Sequence, residues 1–357
     1  MASQRKNAWY DERMDKHGDA NAQNRSQRAL SRREFLGRGL ALGASLVLGG
    51  SLLSFLSSCL RTGEPLPSSA PSTSAPPTSQ PSSSTPSTAE LMVVRGPIPS
   101  ALVEVALAGL GGMERFVKPG ADVIVHPNIC VAYRSFEYAA TTNPEVVGTI
   151  VRLCLKAGAK RVRVMDSPFG GTSEEAYEIS GIGPAARTAG GEMEFMHPAK
   201  FTEAEIPDGR DITSWPIYQD ALNADVLINV PIAKHHNLGR LSLGMKNLMG
   251  LIQNRGGFHA NLGQRIADLA SRLCPMLTVV DAVRILRNHG PTGGNLDDVQ
   301  QTNTVIASTD FVAADAYAAT LFGLTGPDIP YLRAGGAMGL GQLDLARVPT
   351  EEIALSP

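Results

Sequence analysis

The stretch PIAKHHNLGRLSLGMKN, Pro231 to Asn247, places Lys234, His235, His236, Arg240 and Lys246 around two glycines, Gly239 and Gly244. Histidine titrates near neutrality, so it can move a proton or hold a metal. A lysine whose stem lies among apolar neighbours sheds its charge easily and becomes a nucleophile or an anion anchor. Lys246, with Met245 before it and Leu248 and Met249 after it, has that setting; a lysine merely snorkelling to solvent is the plain alternative. Lys234 reads as a ligand contact or as a solvated surface charge. Gly239, Gly244 and Lys246 approach the phosphate loop G-x-x-x-x-G-K, but Met245 is inserted and Asn247 stands where Ser or Thr would bind magnesium. That argues against nucleoside triphosphate hydrolysis. The backbone amides of such a turn can still cradle a carboxylate or phosphate.

Asp166, Asp281, Asp310 and Asp315 are the carboxylates available for a cation or for general base work. Asp310 precedes a helical run and reads as its cap. Asp268, inside a helix, is expected to pair with Arg265 or Arg272. Asp166 and Asp281 remain as candidate cofactor contacts beside Lys234 and Asn247. His259 follows the pair Gly256 and Gly257, on a segment able to fold over as a lid or to complete a metal site.

Apolar strand-like runs alternate with helical patterns around these residues. ADVIVHPN, RVRVMD, ADVLINV, LTVVDAV and TVIAS read as strands. Pro144 to Ala157, LGQRIADLASRL and FVAADAYAATLFG read as helices, the first opening on a proline and ending at Gly158. The pattern predicts an α/β fold with a largely parallel sheet covered by helices on both faces, as a single large domain over residues 91–357. In such sheets ligands gather outside the carboxyl ends of the strands. His126, Asp166, Asp281, Asp310 and the Pro231 stretch all follow strands.

Ahead of the domain, SRREFLG carries Arg32 and Arg33 in a twin-arginine export pattern, followed by an uncharged run from Leu40 to Leu56. LSSC at its end resembles a lipoprotein processing site, with Cys59 as the lipidated residue. Residues 1–58 therefore read as a signal region, and residues 59–90, rich in Pro, Ser and Thr, as a disordered linker unable to bury a core. The expected location is the outer side of the cytoplasmic membrane, periplasmic or extracellular. The expected partners are the twin-arginine machinery, the membrane through its lipid anchor, and a small-molecule ligand. A net charge of −2 with scattered Lys and Arg leaves no footprint for nucleic acid. Cys130, Cys154 and Cys274 form no C-x-x-C pair, so no iron–sulfur cluster is expected within the chain, and Cys154 reads as a buried hydrophobe.

The strand-end motifs HPN, MDSPFGG, ADVLINVPIAKHHNLGRLSLGMKNLMGLI, FHANLGQRIADL, LTVVDAV with GPTGG, and ASTDFVAADAYAA resemble, in order and spacing, the domain of unknown function family numbered 362. Two departures stand out: His126 replaces a lysine usual in that family, and His235 replaces a threonine. The resemblance singles out His236 of the adjacent pair. Some relatives carry a ferredoxin-like segment that this chain lacks. A shorter likeness links the Pro231 stretch to nickel-dependent lactate racemase. By that resemblance His236 takes protons, Lys246 holds a metal-nucleotide cofactor and His259 helps hold the metal. A metal ion or metal-nucleotide is thus the implied cofactor.

Three readings follow: a cofactor- or metal-assisted enzyme acting on a small anionic substrate, with His236 and Lys246 catalytic; a tethered lipoprotein that binds a small solute without chemistry; and a redox-associated protein.

Overall fold

Among the described residues the chain forms twelve strands, and the central ones of the main sheet carry apolar residues on both faces. In the computed structural model, which describes residues 89–356, the strands are β1 (Leu91–Arg95), β2 (Asp122–Pro127), β3 (Arg161–Val164), β4 (Glu192–Met193), β5 (Phe201–Glu205), β6 (Ser214–Tyr218), β7 (Val226–Val230), β8 (Ile232–His236), β9 (Arg240–Ser242), β10 (Leu277–Leu286), β11 (Val299–Ser308) and β12 (Thr350–Ala354). The helices used below are α1 (Pro99–Gly109), α2 (Pro144–Lys156), α3 (Gly244–Asn247), α4 (Leu262–Leu273), α5 (Phe311–Thr320) and α6 (Pro330–Ala337). The signal region with Arg32 and Arg33, lipid-site Cys59 and nearly all of the linker lie outside the described residues.

The main sheet runs β12-β1-β11-β10-β7-β2-β3-β4. Its strands point one way except β11, which is antiparallel to both β1 and β10. The sheet is therefore mixed but mostly parallel, and TVIAS is its reversed strand. Successive side chains leave a strand on opposite faces, and here both faces are apolar. Met92, Val94, Val123 and Val125 pack toward α1 and α2, while Leu91, Val93 and Ile124 pack into the cluster containing α4, α5 and α6. A β5–β6 hairpin forms a separate two-stranded sheet.

Local signals account for the helix starts. Asn143 caps α2 by accepting from Glu145 N at 2.9 Å, with Pro144 in the first turn, and Gly158 follows the helix at φ +96°. Asp310 caps α5 through Ala313 N at 2.8 Å, as read from the sequence. Asp268 departs from expectation. Its carboxylate accepts the backbone N–H groups of Arg210, Asp211 and Ile212 at 2.8–3.0 Å, while Arg265 pairs with Asp211 instead. A buried carboxylate is satisfied as well by three amides as by a cation.

The Pro231 stretch is more ordered than a loop. β7 pairs with the start of β10 at Leu277 and Thr278, Pro231 breaks it, and β8 resumes beside β10 at Asp281 and Leu286. β8 then turns through residues 237–239 into β9, pairing Lys234 with Ser242 and His236 with Arg240. This extra hairpin carries the titratable groups past the end of β7. Among the described residues no helix is long and apolar enough to cross a membrane.

Candidate functional site

Lys246 owes its position to both ends of α3. At the N-terminus the Asp315 carboxylate accepts Gly244 N at 2.6 Å and Met245 N at 2.8 Å. Gly244 permits this approach, since a β-carbon there would lie 2.8 Å from Asp315 Oδ1 and 3.1 Å from Thr278 Cγ2. Burial drives the Asp315 carboxyl up to about 7, against the pull of those two amides. At the other end Asn247 is a buried knot. Its Nδ2 donates to Asn229 Oδ1 at 2.9 Å and to His126 O at 3.2 Å, and its Oδ1 accepts from Asn128 Nδ2 at 2.9 Å. Its amide thus ties α3 to the ends of β2 and β7.

Lys234 is not a solvated surface charge. It is 1 % exposed, and its ammonium donates to Asn128 Oδ1 at 2.9 Å and Ala140 O at 2.6 Å. The Cys130 thiol lies beside it: burial raises that thiol, Lys234 and Lys246 lower it, and its Sγ also meets Pro291 O at 3.5 Å. Asp166 and Asp281 are buried and spend their carboxylates on backbone. Asp166 accepts Ile129 N at 2.6 Å and Ser167 N at 2.7 Å, fastening the loops after β2 and β3 together. Asp281 accepts Asn143 N at 2.7 Å and Val283 N at 3.0 Å, and burial raises it to about 6.

His236, at the end of β8, accepts Leu238 N and Gly239 N on Nδ1, each at 3.1 Å. An imidazole nitrogen that receives two N–H groups carries a lone pair, so the proton of the neutral ring sits on Nε2. Charging the ring would put a third N–H against those two. Burial first, then the charges of Lys246 and Lys234, push the His236 pKa down to about 2 and keep the ring neutral. His235 turns away and accepts Gly290 N at 3.2 Å.

Lys246 shares the His236 side of the hairpin, because its stem crosses Gly239. Although half-buried by area, its amine is crowded enough that desolvation, reinforced by Lys234 and Arg255, lowers its pKa to about 7. Arg255 donates to Gly250 O at 3.2 Å. The exposed His259 feels Lys246, and burial of its ring and that charge both lower its pKa. His236 Nε2 and Lys246 Nζ have no hydrogen-bond partner among the described residues. Among the described residues the fully buried side-chain atoms without partners are Arg134 Nε and Thr278 Oγ1, so the His236 and Lys246 tips keep contact with solvent. The segment bearing His259 is pinned by Phe258, which is fully buried with its ring edge-on to Trp215 at 4.9 Å.

The structure thus brings His236, Lys246, Lys234 and His259 into one electrostatic neighbourhood and adds Arg255 and Cys130. Asp166, felt by Cys130 and Arg255, and Asn247, bonded to the Asn128 that holds Lys234, lie beneath it, whereas Asp281 sits within β10 with Arg284 as its charged neighbour and is not brought to these residues. Arg255 and Asn229 were missed by sequence reasoning. Asn229 had a readable signal, an amide inside the apolar run VLINV that burial obliges to find partners. Arg255, in NRGGF, had none. Among the described residues no three His, Cys, Asp or Glu side chains group as metal ligands. Together with the proton on His236 Nε2, this set does not fit a metal held by protein ligands alone. It fits an anion. Two surface cavities, of about 280 Å³ beside Glu104 and Arg152 and about 480 Å³ beside Thr320 and Leu345, share no lining residue with the site.

The chain is 28 % identical over 249 residues to a thylakoid-associated protein of Synechocystis sp., covering 67 % of this chain and 75 % of that one. Among solved structures, the lactate racemase apoprotein of Thermoanaerobacterium thermosaccharolyticum is similar at 11 % identity and a TM-score of 0.43, over 64 % of this chain and 56 % of that one. A Thermotoga maritima protein is similar at 15 % identity and a TM-score of 0.41, over 64 % and 60 %. The chain thus spans less than two thirds of either solved neighbour. Residues 123–320, more than half of the chain, match the family described as Domain of unknown function (DUF362), and the protein belongs to that family.

Proposed function

We propose that the strand-end site binds a small anion and that the protein is an enzyme acting on it, with His236 and Lys246 at the reacting centre. One observation carries this reading. Lys234, Lys246 and Arg255 converge with His236 and His259; among the described residues none of the three cations makes a salt bridge, and the carboxylate whose charge Arg255 feels, Asp166, is already engaged by two backbone amides. Like charges held together in a half-dry site raise one another's energy and are relieved by an anionic ligand. A neutral imidazole and a near-neutral amine, both with open tips, add proton chemistry that a passive binder does not need. Non-catalytic capture of a solute is the second reading, supported by the tether expected ahead of the domain.

The test is titration of the purified protein with inorganic phosphate and small mono- and dicarboxylates, followed by calorimetry and melting temperature. Saturable binding that weakens in Arg255→Gln and His236→Ala, and is unchanged in His235→Ala, is expected. An absence of saturable binding to every anion in the panel would defeat the reading.

We further propose that the precursor is exported by the twin-arginine route and held at the membrane by a lipid on Cys59. The sequence patterns around Arg32, Arg33 and Cys59 support this.

A further inference from the structure

We infer that Lys246 is a carbonyl-directed nucleophile and His236 a fixed hydrogen-bond donor rather than a base, so that the anion taken by this site is an aldehyde or ketone bearing a negative group. This rests on the anion reading above and deepens it.

The first support is the hydrogen-bonding of His236. Two backbone amides occupy Nδ1, so Nε2 holds the proton and can only donate. To accept a proton at Nε2 the ring would have to become a cation whose Nδ1–H faces two other N–H groups. A neutral N–H aimed at an open space suits the oxygen of a carbonyl, where negative charge develops as a nucleophile adds.

The second support is the freedom of Lys246. Its amine makes no hydrogen bond among the described residues, although Lys234 in the same neighbourhood is held by Asn128 Oδ1 and Ala140 O. The two lysines are therefore unequal. Lys234 is a fixed charge built into the floor, whereas Lys246 has a stem fastened against Gly239 and an uncommitted tip. Fixed cations nearby disfavour protonation of that tip, and an amine desolvated beside other cations is the setting of an imine-forming lysine. As an anion anchor alone it would be the weaker choice, because Lys234 and Arg255 already supply the charge.

The step balances without a redox partner. The Lys246 nitrogen lone pair bonds to the carbonyl carbon while the C=O π electrons move to the oxygen, which His236 Nε2–H receives. One proton passes from nitrogen to oxygen to give the carbinolamine, the second N–H proton follows as the C–O bond breaks, water leaves, and an imine remains.

The experiment incubates the full chain with glyoxylate and sodium cyanoborohydride, which reduces an imine to a stable secondary amine, and maps the modified lysine by peptide mass spectrometry. Carboxymethylation concentrated on Lys246 is expected. It should be absent at that position in Lys246→Arg and at least about ten-fold slower in His236→Ala. Ethylation by acetaldehyde, which carries no charge for the cations to attract, should be slower by about ten-fold as well. Modification spread over surface lysines without preference for Lys246, in protein that still binds phosphate or a carboxylate, overturns the inference and leaves the anion site standing. Equal rates in His236→Ala and wild type overturn the role given to His236. Loss of both selective modification and anion binding removes the inference and the reading beneath it together.

Discussion

The side chain of Lys246 lies across Gly239: a β-carbon built on that glycine would sit 3.4 Å from Lys246 Cδ and 3.5 Å from Cε. The amide of the same glycine holds His236 Nδ1 at 3.1 Å. This residue without a side chain thus helps to set the tautomer of the imidazole, together with Leu238 N, and the course of the lysine, which is how two groups on either side of the β8–β9 turn share one face.

The lowered pKa of Lys246 predicts a stability effect with a definite sign. In the unfolded chain a lysine stays protonated to about 10.4, whereas in the fold this one loses its proton near 7. Between those values the unfolded state binds more protons, so stability rises with pH. Urea melts of wild type and Lys246→Met from pH 6 to 10 should show this rise in the wild type and a flatter profile in the variant. Parallel profiles would show that the amine keeps its ordinary pKa.

Asp315 predicts the opposite slope. Its folded pKa, about 7, exceeds the unfolded value near 4. The unfolded chain therefore releases its proton first as pH rises, and stability falls through that window and levels above about 7. Asp315→Asn should remove this decline. An unchanged pH profile in denaturant melts would contradict the assignment.

Gly250 is predicted to tolerate no side chain. A β-carbon there would lie 2.1 Å from Asp166 Oδ1 and 2.5 Å from His126 Cε1, both buried. Gly250→Ala should therefore destabilise by about 1–3 kcal/mol through forced displacement of a packed cluster. A melting temperature equal to that of wild type would show that the cluster yields freely.

Export is predicted to depend on the arginine pair and retention on the cysteine. Fractionation of cells carrying Arg32→Lys with Arg33→Lys should leave the precursor in the cytoplasm. Cys59→Ala should release the protein from the membrane fraction. Efficient export of the former, or membrane retention of the latter after signal cleavage, would argue against the route or the anchor.

Periodicity and end signals alone marked α2, α4 and α5, because Pro144, Gly158 and Asp310 act on the backbone within a few residues of themselves. The Val, Ile and Leu runs marked β2, β3 and β7 for the same local reason. That His236 and Lys246 stand at a sheet rim followed from their place behind an apolar strand. The reversal of β11 was not legible, since its residues suit a buried strand in either direction and only its neighbours β1 and β10 set its sense. Nor was the burial of Lys234, whose partners Asn128 and Ala140 come from another part of the chain. Asp268 shows the same limit: helix spacing offered Arg265 and Arg272, but three amides from a distant turn arrived first. Sequence determined which residue types are available for chemistry and which local elements hold them. Tertiary structure decided which amides, cations and carbonyls surround each one, and for a titratable group those surroundings set the charge, the tautomer and the role.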